Sequence, residues 1–317
     1  MPDYYNGSQT TLAETVMLSG IGVHCGEPVS ITMGPADANT GIVFVRTNIP
    51  NSDDVEINAT WKSVSATELC TVIGLPGKTN VATIEHLLAA LFGLGIDNVI
   101  VEIDGPEVPV LDGSASGFVA AIDNAGTVRQ DARRRYLRVR EPVRVEFGDA
   151  YGELLPHDRF SIDVTIDFET PTIGRQRFAA DMVPSKFRNE LSRARTFGRV
   201  EDVEKLWAMG YALGSSLENS VALSGDKILN PEGVRWPDEF VRHKALDAVG
   251  DLALAGYPIL GLYRSYKGGH KMNYHVVRAL LENTDAWEIV VMEPAREVGR
   301  ADIGGGIASP VYSPEIS

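Results

Sequence analysis

Two segments of the chain repeat one order of elements: an apolar helix, a glycine that ends it, and an apolar strand. The first reads HLLAALFGLGIDNVIVEI (86–103) and the second reads VGDLALAGYPILGLYRS (249–265). Helices and strands of this kind bury their apolar sides against another layer. The repeated order therefore predicts an α+β fold of two similar sandwich domains, whose long helices face one another.

Turn residues and patterning indicate where the two halves divide. We interpret the basic stretch 131–140 as a solvated linker between an N-terminal domain (1–130) and a C-terminal domain (141–317), with phosphate binding as the alternative. Strands are predicted at 29–34, 41–46, 98–103, 142–147, 151–156, 160–168 and 258–266. Helices are predicted at 84–93 (capped by Thr83, stopped by Gly95), 185–198 and 239–256 (capped by Asp238).

The overall charge limits the partners of the chain. Its 317 residues carry a formal net charge of −14, which argues against broad binding to nucleic acid or anionic lipid. The polar first ten residues lack the pattern of a signal peptide, and no apolar run approaches the roughly 18 residues of a membrane span. Cys25 and Cys70 are too few for a disulfide framework. We expect a cytoplasmic protein without stable membrane insertion, and nothing indicates its oligomeric state.

The helix predicted at 239–256 carries polar side chains on one face. His243, Asp247 and Asp251 follow one another at intervals of four residues, which places neighbours about 5–6 Å apart at Cβ. One helix can present two metal ligands in this way. Because a buried polar stripe is costly unless a metal or hydrogen bonds satisfy it, the pattern favours a site. A solvent-exposed polar face is the alternative that the pattern leaves open.

A second candidate pair, Glu85 and His86, lies in the apolar helix at 84–93. Adjacent helical residues point about 100° apart, so His86 can bind a metal while Glu85 reaches a water beside it. With His243 and Asp247, His86 gives the three-ligand pattern of a catalytic zinc site, and Glu85 then fits a general base. A buried histidine with an ordinary partner is the alternative.

The remaining histidines are ambiguous. His24, beside Cys25, is a rival ligand. His270 lies in a Gly-rich segment that we predict as a loop, where histidines usually take no part in chemistry. His157 and His275 have no acidic or cysteine partner at ligand spacing, and we interpret them as surface residues.

Five segments, in order, resemble the signature of a known family. They are TIEHLLAALFGLGIDN (83–98), EVPVLDGSASGF (107–118), SRARTFG (192–198), FVRHKALDAVGDL (240–252) and YKGGH (266–270). Together they resemble UDP-3-O-acyl-N-acetylglucosamine deacetylase, the zinc amidase of lipid A (lipopolysaccharide) biosynthesis in Gram-negative bacteria. The resemblance implies hydrolysis of the N-acetyl group of a UDP-linked, O-acylated amino sugar, at a site between two domains that each pair a sheet with helices.

The resemblance also implies roles for the matching residues. It assigns one Zn²⁺ to three ligands, catalysis to four further residues and substrate contacts to a last group. Those groups are His86, His243 and Asp247 for the metal; Glu85 as general base, His270 as cationic histidine, Asp251 as its orienting carboxylate and Thr196 for the oxyanion; and Lys244, Lys267, Phe197, Leu217 and Cys70 for the substrate.

The segment 197–223 is expected to interrupt the second sandwich directly after Thr196. Its apolar residues recur at helical spacing and continue beyond Gly210, which ends the helix. The resemblance favours a hydrophobic passage for the 3-O-acyl chain; a small satellite core is the alternative. The stripe consists of Val200, Val203, Leu206 and Trp207, followed by Tyr211, Leu213, Leu217 and Val221.

Three positions depart from the family pattern. Cys25 stands where relatives often carry a small hydroxyl residue, Arg199 where some carry an aromatic, and Ala150 where some carry a lysine, so the uridine and phosphate contacts stay undetermined. Two rival functions remain: a zinc amidase of the same architecture acting on another N-acetylated sugar, and a sugar-nucleotide binding protein without catalysis.

Overall fold

The structure, a computed structural model, describes residues 7–49, 54–75 and 78–291 and confirms an α+β fold. The strands are β1 (Ser8–Leu12), β2 (Val16–Ile21), β3 (Pro28–Pro35), β4 (Ile42–Arg46), β5 (Val55–Asn58), β6 (Val64–Ala66), β7 (Val72–Gly74), β8 (Asn80–Val81), β9 (Val99–Ile103), β10 (Thr127–Arg133), β11 (Arg135–Val139), β12 (Val143–Phe147), β13 (Ala150–Leu155), β14 (Phe160–Asp167), β15 (Arg175–Asp181), β16 (Phe197–Arg199), β17 (Val221–Ser224), β18 (Lys227–Ile228), β19 (Ile259–Tyr266) and β20 (Trp287–Val291). The helices are α1 (Glu85–Leu94), α2 (Ser116–Ala125), α3 (Pro184–Lys186, continued by a π-helical turn at Phe187–Leu191), α4 (Val200–Ala208), α5 (Glu239–Leu252) and α6 (His270–Glu282), with 3₁₀ turns at Trp61–Ser63 and Ala253–Ala255.

Two main sheets carry the helices. The first has the order β2-β3-β9-β4-β5, and the second has the order β12-β13-β19-β11-β20, with β14 pairing β19 and β15 pairing β14. In both sheets, the apolar strand of the repeated pattern lies inside: β9 between β3 and β4, and β19 between β13 and β11. Smaller sheets are β1-β10, β6-β7-β8 and β16-β17-β18.

Helices α1 and α5, the two long helices of the repeated pattern, pack directly against each other. Their backbones approach so closely that a Cβ atom at Gly250 would lie 2.0 Å from the carbonyl oxygen of Glu85. Only glycine fits at this contact, because any other side chain would overlap the backbone of α1. The contact brings the first turn of α1 beside the middle of α5, where the candidate ligands lie.

The seven predicted strands are confirmed, each to within about one residue at either end. The helix predicted at 239–256 is also confirmed, as α5 and a 3₁₀ turn that Gly256 ends in a left-handed conformation. Asp238 stands at its N-cap position, but its carboxylate accepts from Arg242 rather than capping the helix. Thr83 does not cap α1, because its hydroxyl donates to Glu107 and the cap position is Ile84.

Three other local predictions were wrong. The helix at 185–198 stops at Leu191, after which a turn at 192–193 precedes β16. The basic stretch 131–140 is not an open linker, because it lies largely in β10 and β11, which belong to different sheets. His270 is not in a loop but begins α6, directly after Gly269. The division into domains 1–130 and 141–317 stays a prediction.

Within residues 7–49, 54–75 and 78–291, no helix has both the length and the apolar character that a membrane crossing requires.

Candidate metal and active site

Three candidate ligands come together where α1 meets α5. Two of them share a helix, and the third lies on the other helix. His86 and His243 lie edge to face, and their Nε2 atoms are 3.5 Å and 3.3 Å from Oδ1 of Asp247. All three are buried, and their ligand atoms lie within 4.8 Å of one another. The predicted cluster of two imidazoles and one carboxylate is therefore formed by the fold itself.

The state of these side chains fits a divalent metal. Oδ1 of Asp247 is buried and has no hydrogen-bond partner among the described residues, whereas Oδ2 accepts from Lys244 at 2.7 Å. Nδ1 of His243 is 3.0 Å from the carbonyl oxygen of Ala194, which can only accept, so Nδ1 carries the proton and Nε2 presents a lone pair to the cluster. Burial lowers the pKa of His243 to about 3 and so keeps it neutral. Two imidazoles and a carboxylate are a common donor set of catalytic zinc sites.

The charges around Asp247 keep it ionised. Burial alone would raise the pKa of this carboxyl, but the positive charges of Lys244 and His270 outweigh burial and help to hold it well below its usual range. Lys244 responds in the opposite sense, since Asp247 raises its pKa against the effect of burial. An ionised carboxylate with one unpaired oxygen is a donor ready for a cation.

Glu85 lies one residue before His86 and faces the same space. Burial raises the pKa of this carboxyl, an effect that His270 and His86 partly offset. The backbone N–H of Thr71 donates to its Oε2 at 3.0 Å, and Nε2 of His270 lies 3.8 Å from its Oε1. The oxygen on the His270 side remains available to accept a proton.

His270 is held by a carboxylate behind it. Its Nδ1 is 2.9 Å from Oδ2 of Asp251, which also accepts from Asn273 at 2.8 Å, and Oδ1 of Asp251 accepts from Thr71 at 2.6 Å. Burial opposes the charge of the imidazole, but Asp251 and Glu85 prevail and raise the pKa of His270 to about 9. A proton-bearing Nε2 therefore points toward the cluster at neutral pH.

A cavity of about 410 Å³ opens above the cluster. Glu85, His86, His243, Asp247 and His270 form its polar end. The other end is mainly apolar and is built from β16, α4, the loop that follows α4, β17 and the residue after β18. That end includes Phe197, Val200, Val203, Leu206, Trp207, Ala212, Leu217, Ala222 and Leu229.

The structure brings most of the other predicted site residues to this cavity. Thr196, Phe197, Lys244 and Leu217 line it. His24 lines it too, with a buried Nδ1 that lacks a partner among the described residues, but the metal cluster found there does not include it.

Two predicted substrate contacts are placed elsewhere. Cys70 is buried outside the described lining of the cavity, where burial raises its pKa to about 12. Lys267 is likewise absent from that lining, and its Nζ pairs with Asp149 at 2.6 Å. A buried cysteine and a lysine beside an exposed carboxylate follow the usual behaviour of these residues.

Two residues of the site were missed. Thr71 bonds to both Glu85 and Asp251 although it is 14 and 180 positions away from them in sequence, and no local pattern signals such a contact. Asn273 lies three residues after His270 on α6, so recognition of that helix would have placed both on one face.

Comparison with known proteins identifies the family of the chain. A family model described as UDP-3-O-acyl N-acetylglycosamine deacetylase matches residues 9–282. Proteins named UDP-3-O-acyl-N-acetylglucosamine deacetylase from Brucella ovis and Brucella melitensis biotype 2 are 52% and 51% identical to the chain over 286 residues, which is 90% of this chain and 99% of each relative. The chain therefore belongs to the UDP-3-O-acyl N-acetylglycosamine deacetylase family.

Proposed function

We propose that this protein hydrolyses the N-acetyl group of UDP-3-O-acyl-N-acetylglucosamine in lipid A biosynthesis, releasing acetate and the free amine. The observation that carries the proposal is the buried cluster of His86, His243 and Asp247 at the polar end of an apolar cavity, in a chain of this family. We further propose that the cluster holds one Zn²⁺. The unpaired Oδ1 of Asp247 and the Nε2 atoms of His86 and His243, which lie 3.5 Å and 3.3 Å from it, support this ligand set.

When bound, a zinc ion supplies a Lewis acid for the attack of water on an amide. Glu85 accepts the proton of the attacking water, and its raised pKa makes it a stronger base than an ordinary carboxylate. His270 holds a proton on Nε2, delivers it to the departing amine and is oriented by Asp251. The hydroxyl of Thr196, at the cavity wall, donates to the oxyanion. Glu85 thus gains one proton from water, and His270 gives one proton to the leaving nitrogen, so the two transfers balance.

The apolar end of the cavity supports the acylated substrate over a simple N-acetyl sugar. It adjoins the polar cluster, so a chain at the 3-position can extend along it while the acetamide stays beside Glu85 and His270. Phe197 and Lys244 both line the cavity and are proposed substrate contacts. The roles of Lys267 and Cys70 need the substrate to reach beyond the described cavity wall.

We also propose a cytoplasmic location, supported by two free cysteines in an acidic chain that has no disulfide between them. The partner is then the UDP-linked sugar itself, without nucleic acid and without stable membrane insertion. The proposed domain division puts the site between 1–130, which supplies His86, and 141–317, which supplies His243 and Asp247.

Acetate release from synthetic UDP-sugars tests the function. The acylated and unacylated forms are compared on protein with measured zinc content. We expect rapid release from the 3-O-acylated sugar only, and loss of release when zinc is removed and its return when zinc is restored. Equal rates for both sugars would leave a zinc amidase of another specificity, and zinc-loaded protein without turnover would leave a binding protein.

A further inference from the structure

Glu239 extends the polar face of α5 by one turn beyond the residues already described. It lies four positions before His243, so Glu239, His243, Asp247 and Asp251 form one continuous stripe. Its side chain is 0% exposed, and a carboxylate buried so completely requires several donors. It therefore calls for a specific partner.

That partner is Arg195, whose side chain is 2% exposed. Nε and Nη2 of Arg195 lie 3.0 Å and 3.3 Å from the two carboxylate oxygens of Glu239, and the backbone N–H of Arg195 donates to the same carboxylate at 3.0 Å. The remaining guanidinium donors bond to Glu232 at 2.6 Å and to the carbonyl of Gly233 at 2.8 Å. The backbone N–H of Arg235 also donates to Oε2 of Glu239, at 2.5 Å. The pair is thus satisfied on all sides.

The neighbours of Arg195 on both sides belong to the site. The carbonyl of Ala194 accepts a hydrogen bond from Nδ1 of His243, and Thr196 lines the cavity. The segment 194–196 is therefore attached to α5 at two points one turn apart, by Glu239 and by His243. The backbone of Arg195 therefore connects the carbonyl that accepts from the His243 ring with the residue that carries the Thr196 hydroxyl.

We propose that Arg195 and Glu239 are positioning residues, which fix the orientation of the metal ligand His243 and of the hydroxyl of Thr196. The proposal rests on the proposed metal site and deepens it. A buried ion pair is often replaceable by apolar side chains without loss of stability, so stability alone is a weak reason for this one. Groups that orient a metal-ligating histidine typically change metal affinity or activity 10–100-fold when altered.

The test is a double substitution, Arg195→Met with Glu239→Leu, which removes the pair without leaving one charge buried alone. We expect folded protein whose Zn²⁺ dissociation constant, measured by competition with a chelator, rises about 10–100-fold. We also expect a decrease in kcat and little change in KM, because neither Arg195 nor Glu239 lines the cavity that binds the acyl chain. The visible spectrum of the Co²⁺-loaded variant should shift as the His243 ligand reorients.

A matched control uses a second ion pair at the start of the same helix. Arg242 pairs with Asp238 at 2.7 Å and bonds to the carbonyl of Glu190, without a described contact to 194–196. Arg242→Met with Asp238→Leu should lower stability without weakening zinc binding. Equal weakening in the control, or unchanged zinc affinity and kcat in the Arg195→Met/Glu239→Leu protein, would overturn the positioning role.

If the double variant does not fold, a milder substitution tests the same contact. Glu239→Gln keeps the size of the side chain and is measured in the same way, and failure of both variants to fold would assign the pair to stability instead. Zinc binding by the unaltered protein and by His243→Ala separates this proposal from the proposed function. If the unaltered protein binds no zinc through His243, the metal site fails; if it does, only the role of Arg195 and Glu239 is in question.

Discussion

A narrower apolar end of the cavity should lower kcat/KM for substrates with long acyl chains more than for substrates with short ones. Leu217 lines this end and is 44% exposed, so a larger side chain there is tolerated by the fold. In Leu217→Trp, the indole should displace the outer part of a long acyl chain. Each buried CH₂ contributes about 0.8 kcal/mol, so loss of about four costs roughly 3 kcal/mol. Since about 1.4 kcal/mol is a tenfold change, kcat/KM for a long-chain substrate should fall by roughly 10²-fold.

The assay is acetate release from UDP-sugars with 3-O-acyl chains of graded length. A short chain that ends before Leu217 should be processed by Leu217→Trp at nearly the unaltered rate. Leu213→Trp is the matched control, because Leu213 lies in the same segment, is 52% exposed and is not part of the cavity wall as described. A uniform loss across all chain lengths, or the same loss in the control, would refute the placement of the chain.

The other predictions concern the polar end. His243→Ala should lose bound zinc, measured by metal analysis, together with the rise in melting temperature that zinc gives the unaltered protein; retention of stoichiometric zinc would show that the ligand set is wrong. Glu85→Ala should keep the metal and lose roughly 10²–10⁴ in kcat, the usual size of general acid–base catalysis, and near-native turnover would place the base elsewhere. Since Asp251 helps raise the pKa of His270 to about 9 against burial, the required imidazolium is present below that pKa and lost above it. The rate should therefore decline on the alkaline side, and His270→Gln, which is neutral at every pH, should remove or displace that decline in a pH–rate profile.

The sheets were predictable because their signals are local. The strand at 160–168 alternates apolar and polar residues, and β14 buries one side in the same alternation. The apolar run at 98–103 has no strict alternation, but Gly95 before it and the charged turn after it set its limits. Helices α2 and α6 were missed, since each directly follows a turn that obscures the start of a helical pattern.

The site was predictable only in part, for a physical reason. His243 and Asp247 share a helix face, so spacing alone pairs them, whereas their approach to His86 depends on the contact at Gly250 between two distant helices. The partnership of His270 with Asp251 came from resemblance, because the two lie on different helices. The placement of Lys267 beside Asp149 depends on the pairing of distant strands, which no short motif encodes.

The partners of the stripe on α5 explain why a helix face with four ionisable side chains can be buried. Each member meets a different partner: Glu239 meets Arg195, His243 the carbonyl of Ala194, Asp247 Lys244, and Asp251 a group of donors that includes His270. After these contacts, Oδ1 of Asp247 is the acceptor on this stripe that no described residue satisfies. A buried carboxylate oxygen without a donor is costly, and Nε2 of His243, which lies 3.3 Å away, presents a lone pair rather than a proton to the same point. Two acceptors that face each other cannot satisfy each other, so a cation between them is the arrangement that removes the cost. The rest of the stripe is complete without a ligand, which limits the proposed metal site on α5 to this one turn of the helix.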